Sequence, residues 1–363
     1  MSKKTSYSEN HIQALNHREH IRKRPAIYLG KVNIKGFMEM LKGLLSNTFL
    51  NTKPDYFQFE FSEKYSGKII FKNIKGGLND SWATEHILPS SPFWMEALVL
   101  NNLSSVFDII FFDKNDNQIV EQKFQQGKLK RGKIENKKLN CHSLEITFKL
   151  DRQIWKEGFE WNENYITHQI RDFAYLYKNV KFEIKYKSDE VPYLMLYHFK
   201  NGLKDQINIE LLNGLCQSHF MTYFEKEFNG FSLELSFAFR DNSVDAGFLK
   251  SYVNDHHTHE GGTHVKGLIK GFRIALKRYV QEKKLNKKYS FSKKKITSYL
   301  IAALHLKMNN AHFEGSTKNK LGNRDIVKPI SDHVSVILFD QLLTYENLAT
   351  SLLRNFEIHE SNY

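Results

Sequence analysis

Cysteines and long apolar runs are scarce in this sequence, and each absence excludes a class of protein. Cys141 and Cys216 are the only cysteines, which excludes a disulfide framework and fits a reducing compartment. No apolar run of about 18 residues occurs, so a membrane-spanning helix is not expected. The N-terminal MSKKTSYSENH also lacks the apolar core of a signal peptide. We therefore expect a soluble, cytoplasmic protein without membrane contacts.

Aromatic side chains and positive charge are abundant instead. The 363 residues include 28 Phe and 17 Tyr, and 41% of the chain is hydrophobic, which is enough to form a sizeable core. Lys and Arg number 53 against 40 Asp and Glu, giving a formal net charge of +13 and an isoelectric point near 9.3. This excess favours a polyanionic partner, most commonly nucleic acid; a basic surface without a specific partner is the alternative.

The length predicts about two domains, and both halves of the chain mix helical and strand patterns. A polar stretch at 188–206 is the predicted boundary. Segments with helical spacing lie at 8–24, 35–50, 164–177, 263–285 and 339–356. Segments typical of strands or of a turn-linked hairpin lie at 56–61, 68–73, 106–124, 144–150, 181–187, 231–240 and 297–308. Both domains are therefore predicted to be α+β.

The stretch DHHTHEGGTHVKG at 255–267 is the most unusual one in the chain. It contains four histidines, namely His256, His257, His259 and His264. A zinc site needs three or four convergent ligands, but this spacing matches no zinc pattern and no cysteine supports it. A structural interpretation is favoured: Gly261 and Gly262 predict a turn with positive φ, and Thr263 predicts the N-cap of an amphipathic helix.

The segment THEGGTHVKGLIKGFRIAL (258–276) closely resembles the transducer signature of bacterial gyrase B and topoisomerase IV B proteins. Three further segments resemble the same family in the same order: ALNHREHIRKRPAIYLG at 14–30, the helix and hairpin at 97–127, and AHFEGSTKNKLGN at 311–323. The resemblance implies a GHKL (Bergerat) ATP-binding-type domain with an N-terminal dimerisation arm over 1–200. A transducer domain of ribosomal S5 domain 2-like fold is implied over 201–363.

The resemblance also implies a place for the hydrolytic chemistry. In the family a glutamate and an asparagine lie four residues apart on one helix face, where the glutamate is the general base and the asparagine binds magnesium. In GFMEMLKGLLSNTF, Asn47 matches the asparagine, but Gly43 stands at the position of the base. Glu39, one turn earlier, is a weaker substitute. ATP and magnesium are therefore expected as ligands only if this site still functions.

Other family positions are partly retained. Asn73 replaces the aspartate that accepts from the adenine amino group, and Gly77 matches the glycine that lets adenine approach. Lys318 matches a lysine that contacts the terminal phosphate; a solvated basic loop is the alternative. Tyr7 and Ile12 match the arm that crosses to a second copy of the protein; an ordinary tail and a helix core residue are the alternatives.

The lid over the phosphates departs most from the family. Its glycine-rich GGLHGVG run, whose backbone N–H groups bind phosphate, corresponds here to SSPFWME at 90–96. Pro92 has no N–H, and Phe93 and Trp94 are bulky. The first hypothesis is therefore a pseudo-ATPase that acts as a dimeric binding protein on DNA or a topoisomerase. The alternative is an active, ATP-hydrolysing DNA gate of a type II DNA topoisomerase.

The expected partners follow from the resemblance and from the charge. A homodimer, double-stranded DNA and a gyrase or topoisomerase IV subunit are implied. No acidic DxD-type cluster is present to bind the ions of a TOPRIM domain, so we do not expect this chain to cleave DNA by itself. The candidate contacts to DNA phosphates lie on the basic face of the helix after Gly262, with a solubilising surface as the alternative: Lys266, Lys270, Arg273 and Lys277.

Overall fold

The computed structural model describes most of the chain and divides it into two compact units. The described residues are 16–62, 65–75, 95–155, 159–188, 192–213, 221–240, 247–315 and 318–358. The units comprise Met1–Ala174 with Asn179–Phe199, and Tyr175–Lys178 with Lys200–Tyr363. The N-terminal arm with Tyr7 and Ile12, the position of Gly77, and the lid at 90–94 lie outside the described residues.

The first unit is built on one large sheet, as the alternating pattern predicts. Its strands are β1 (Tyr56–Ser62), β2 (Ser66–Lys72), β3 (Ser104–Asp113), β4 (Gln118–Gln125), β5 (Lys128–Asn136), β6 (Ser143–Leu150), β7 (Lys181–Lys187) and β8 (Tyr193–Tyr197). Their order is β5-β4-β3-β6-β2-β1-β7-β8, and only the β1–β7 pair among them is parallel. The predicted boundary region thus contains a strand, β8, that pairs with β7.

The helices of the first unit carry the residues of interest. They are α1 (His17–Lys23), α2 (Pro25–Leu29), α3 (Ile34–Thr52), α4 (Met95–Asn102) and α5 (Glu163–Leu176). Helix α3 begins after Asn33, whose side chain accepts from two backbone N–H groups of the first turn. It packs on the sheet through Phe37, whose ring lies 6.0 Å from that of Phe59, and through Phe49, stacked 5.4 Å from Phe182.

The second unit contains a smaller sheet covered by helices. Its strands are β9 (Met221–Phe228), β10 (Phe231–Phe239), β11 (Phe248–Val253), β12 (His256–His257) and β13 (Leu300–Met308), in the order β12-β11-β13-β10-β9. Its helices are α6 (Leu203–Asn213), α7 (Thr263–Glu282), α8 (Lys293–Tyr299), α9 (Val327–Thr344) and α10 (Glu346–Phe356). The predicted apolar stripe of α7 is confirmed, because Leu268, Phe272 and Leu276 are fully buried.

Two segments of the second unit differ from the sequence-based prediction. The strand expected at 297–308 starts only at Leu300, because Ser292 caps the short helix α8 by accepting from the Lys295 N–H. The single C-terminal helix expected at 339–356 is two helices that start at Val327 and are separated at Tyr345. Pro329 lies in the first turn of α9, where a missing N–H breaks no intrahelical bond.

Thr263 is not the N-cap of α7, which corrects the prediction. The cap is Gly262 at φ 137°, and the Thr263 hydroxyl is buried without a hydrogen-bond partner. The reason is tertiary: the Thr263 N–H donates to the Leu321 carbonyl at 3.0 Å, and the Leu321 N–H donates to the Gly261 carbonyl at 3.1 Å. The glycine turn itself is confirmed, since Gly261 has φ 70°.

Substitutions in this turn test whether Gly262 or Thr263 is the N-cap of α7. We predict that Gly262→Ala destabilises the protein by about 3 kcal/mol or more, because its Cβ would lie 2.4 Å from the Leu321 backbone at a φ that L-residues avoid. Thr263→Val should change stability by less than about 0.5 kcal/mol, because it removes an unpaired hydroxyl. Urea unfolding followed by circular dichroism measures both. A loss of about 1 kcal/mol in Thr263→Val would restore the capping role.

Candidate functional site

Gly43 and Asn47 lie on one face of α3, and a carboxylate from α4 lies against both. The Asn47 Nδ2 donates to Glu96 Oε2 at 2.8 Å. A Cβ built on Gly43 would lie 2.9 Å from both Cγ and Oε1 of Glu96, closer than real Cβ contacts. The glycine therefore leaves the space that the Glu96 side chain fills. A carboxylate and an amide thus meet next to the position where the sequence lacks a base.

Glu96 was not predicted as a site residue, and the sequence gives little sign of it. It stands in the first turn of α4, 49 residues after Asn47, and spacing along the chain does not reveal such a contact. The only sign in the sequence is that a carboxylate is missing at position 43 while an acidic residue, Glu96, ends the SSPFWME run. Among the described residues, Oε1 of Glu96 has no hydrogen-bond partner.

Glu39 is engaged elsewhere. Its carboxylate forms an ion pair with Lys42 at 2.6 Å, and 57% of its side chain is exposed. An exposed i,i+3 pair of this kind is typical of a solvated helix surface. The side chain that lies against Gly43 is therefore that of Glu96 and not that of Glu39.

Asn73 also has a carboxylate beside it. Its Nδ2 donates to both oxygens of Asp55, at 2.8 and 3.0 Å. The residue has φ 54°, a left-handed conformation that asparagine tolerates better than most residues. Because Asp55 engages the amide nitrogen, the amide oxygen of Asn73 remains the group able to accept a hydrogen bond.

The histidines of the 255–267 stretch differ in burial within the second unit. His264 is fully buried, with Nε2 3.0 Å from Thr258 Oγ1, and burial lowers its pKa to about 4. His257 and His259 are exposed. Within the described ranges, no three His, Cys, Asp or Glu side chains are grouped as metal ligands. The structural role of His264, a neutral core residue, follows from its burial.

Lys318 lies beside the same stretch. Its Nζ is 3.2 Å from His256 Nε2, and its backbone has φ 55°. The loop that carries it is attached to the start of α7, because the Glu260 N–H donates to the Asn319 carbonyl at 3.1 Å and Leu321 bonds to both sides of the glycine turn. The Lys318 side chain thus projects from a loop with a fixed attachment to α7.

The basic face of α7 is only partly available. Lys266, Lys270 and Lys277 are exposed on one stripe of the helix. Arg273, predicted to share this surface, is half-buried, and its Nε donates to the Phe291 carbonyl at 2.9 Å. Three of the four predicted cations therefore face solvent, and the fourth connects α7 to the segment before α8.

Solved structures of other proteins share this architecture. The predicted α+β fold is confirmed by solved structures of gyrase B, and the GHKL (Bergerat) fold is consistent with them. The 43K ATPase domain of Thermus thermophilus gyrase B superposes with a TM-score of 0.75, at 19% identity over 93% of this chain and 93% of that chain. The gyrase B structure from Myxococcus xanthus gives a TM-score of 0.77, at 16% identity over 93% and 99%.

The sequence comparisons point to the same family. Residues 199–360 match the family model for DNA gyrase B. The DNA gyrase B protein of Staphylococcus epidermidis is 26% identical over 94% of this chain and 56% of its own length. The DNA topoisomerase 4 B protein of Rickettsia conorii is 25% identical over 96% and 57%. The predicted resemblance to gyrase B and topoisomerase IV B is thus confirmed, and the chain spans little more than half the length of these relatives.

The described helices were compared with the requirements for a membrane span. Among the residues that the structure describes, no helix has the length and apolar character that a membrane span requires.

Burial of His264 predicts acid sensitivity. Its pKa is about 4 in the folded protein and 6.5 when exposed, so below pH 6.5 the unfolded state binds a proton that the folded state does not. Stability is therefore lost as the pH falls from 6.5 towards 4, by about 2 kcal/mol at pH 5. His305, buried with a pKa lowered to about 3, adds a loss of the same sign.

Urea unfolding of the wild type and of His264→Gln, at about pH 7 and pH 5, measures this contribution. The variant should lose about 2 kcal/mol less than the wild type between the two pH values. An equal pH dependence in both proteins would show that His264 is protonated in the folded state.

Proposed function

We propose that this chain is the ATP-binding gate module of a gyrase B or topoisomerase IV B-type protein. The observation that carries the proposal is the similarity of both units together, over 93% of each chain, to a structure described as a gyrase B ATPase domain. Similarity of one unit alone would be compatible with many functions, since a fold does not define a function.

The candidate site offers suitable groups for a magnesium–nucleotide ligand. The amide oxygen of Asn47, whose Nδ2 is bound to Glu96, is a hard oxygen donor of the type that magnesium prefers. Magnesium bound there would neutralise phosphate charge. The resemblance separately proposes Lys318, in the second unit, as a contact to the terminal phosphate. Within the first unit, Asn73 can accept from an adenine amino group. These residues fit the ligand through oxygen donors and charge, without requiring the family's own carboxylates at 43 and 73.

A degenerate scaffold that binds no nucleotide is the second candidate. Gly43 at the position of the base favours it, as does the bulky SSPFWME in place of a glycine-rich lid. The two candidates share the fold and differ in nucleotide affinity.

Calorimetric titration with a non-hydrolysable ATP analogue distinguishes them. We predict magnesium-dependent binding to the wild type and at least about tenfold weaker binding to Asn47→Ala, a cost of about 1.4 kcal/mol. Asn51→Ala is the matched control, because Asn51 is exposed and its side chain only donates to the Asn47 carbonyl. Absence of binding to the wild type at millimolar magnesium would favour the degenerate scaffold.

Dimerisation and DNA contact complete the proposal. The arm with Tyr7 and Ile12 is proposed to cross to a second copy of the chain. The stripe of Lys266, Lys270 and Lys277 is proposed to contact the phosphates of double-stranded DNA, with a gyrase or topoisomerase IV subunit as the partner that cleaves it. Support comes from the exposure of these lysines on one stripe and from the net charge of +13.

Salt dependence tests the DNA contact. Replacing the three lysines by alanine should reduce the slope of log affinity against log salt by about 3, because each phosphate contact contributes about 0.9. Lys128, Lys130 and Arg131 on β5 are exposed and provide a control with the same change of charge. Fluorescence anisotropy with a duplex, between about 50 and 200 mM salt, measures the slope. An equal loss in both triple variants would indicate non-specific attraction to total charge.

A further inference from the structure

We infer that Glu96 is the general base of this site, supplied by α4 in place of the residue missing at position 43. The inference deepens the proposed function and rests on it, because it applies only if the site binds ATP. Glu96 lies against the backbone of Gly43 and accepts a hydrogen bond from Asn47. Glu96 thus places a carboxylate beside position 43, although it comes from a different part of the sequence than the family's glutamate.

The hydrogen bonding of Glu96 leaves one oxygen for chemistry. Oε2 accepts from Asn47 Nδ2 at 2.8 Å, which fixes the orientation of the carboxylate. Oε1, on the side of Gly43, has no other partner within the described part of the chain. A carboxylate held by one oxygen with the other one open is the arrangement that a general base needs to accept a proton from water.

Gly43 explains why this arrangement exists here. Glycine inside a 19-residue helix costs about 1 kcal/mol relative to alanine, so its presence needs a reason. Any Cβ at position 43 would meet the Cγ, Cδ and Oε1 atoms of Glu96 at 2.9 to 3.1 Å. A glutamate at position 43 would therefore require the Glu96 side chain to move from its present position.

In the proposed step, Oε1 of Glu96 accepts a proton from a water molecule while the water oxygen forms a bond to the terminal phosphorus of ATP. The bond from that phosphorus to its bridging oxygen breaks, and the electron pair stays on the departing ADP. The proton then passes from Glu96 to the released phosphate or to solvent, which restores the carboxylate.

Steady-state ATPase assays on the full chain, combined with analogue titration, test this role. Glu96→Gln keeps the size and the acceptor for Asn47 but loses the base, so turnover should fall about 10²- to 10⁴-fold while analogue affinity changes less than about threefold. Glu39→Gln, in the exposed pair with Lys42, is the matched control and should leave both quantities unchanged.

A double variant moves the carboxylate back to α3. Glu96→Gly frees the space at position 43, and Gly43→Glu in the same chain places a carboxylate there. This double variant should recover at least about a tenth of wild-type turnover, whereas Glu96→Gly alone should not. Rescue would establish that one carboxylate at this point is what matters, whichever helix supplies it.

The possible results distinguish the role of Glu96 from the proposed ATP-binding function. Analogue binding with turnover unaffected by Glu96→Gln overturns the inference and leaves the proposed function standing. Analogue binding without wild-type turnover also overturns it. Absence of analogue binding in wild type overturns both. Binding with turnover that depends on Glu96 but not on Glu39 supports both.

Discussion

The packing of α3 on the large sheet determines where the candidate site lies. Phe37 and Phe49 attach the two ends of the helix to β1 and β7 through ring contacts of 6.0 and 5.4 Å. With both ends fixed, the intervening turns cannot rotate, and Gly43 and Asn47 face α4. The Asn47–Glu96 hydrogen bond therefore depends on the aromatic packing of the helix on either side. The polar site is a consequence of how an apolar helix face is buried.

Gly43 and Asn73, where the resemblance leads us to expect carboxylates, each have a carboxylate beside them from another part of the chain. Glu96 of α4 contacts Gly43 and Asn47, and Asp55 accepts from Asn73 with both oxygens. An alignment compares residues at matching positions, so it records two losses. The structure shows which atoms lie close together, and in it a carboxyl group lies beside each of the two positions. A judgement that such a site is degenerate therefore depends on which of the two comparisons is made.

Periodic segments could be predicted from the sequence, and contacts distant in the chain could not. The strand 56–61, the helix 35–50 and the apolar stripe of α7 were predicted because burial imposes a regular repeat on the residues themselves. Thr263 was predicted as a cap from local chemistry, but Leu321 supplied the hydrogen bond instead. Glu96 was missed for the same physical reason: its partner is 49 residues away. Asn73 and Lys318 were found only through the resemblance.

The attachment of Leu321 to the glycine turn has a mechanical consequence. The Leu321 peptide bonds to Gly261 on one side and to Thr263 on the other, which joins the Lys318 loop to the first residue of α7. A displacement of Leu321 would therefore either break these two hydrogen bonds or move the start of the 20-residue helix α7 with it. Gly267 and Gly271 bring that helix against α9, where an added Cβ would come within 3.0 Å of Ile330 and 2.8 Å of Val334. The segment after Lys318 and helix α9 are thus both tied to α7, the first by hydrogen bonds and the second by close packing at two glycines.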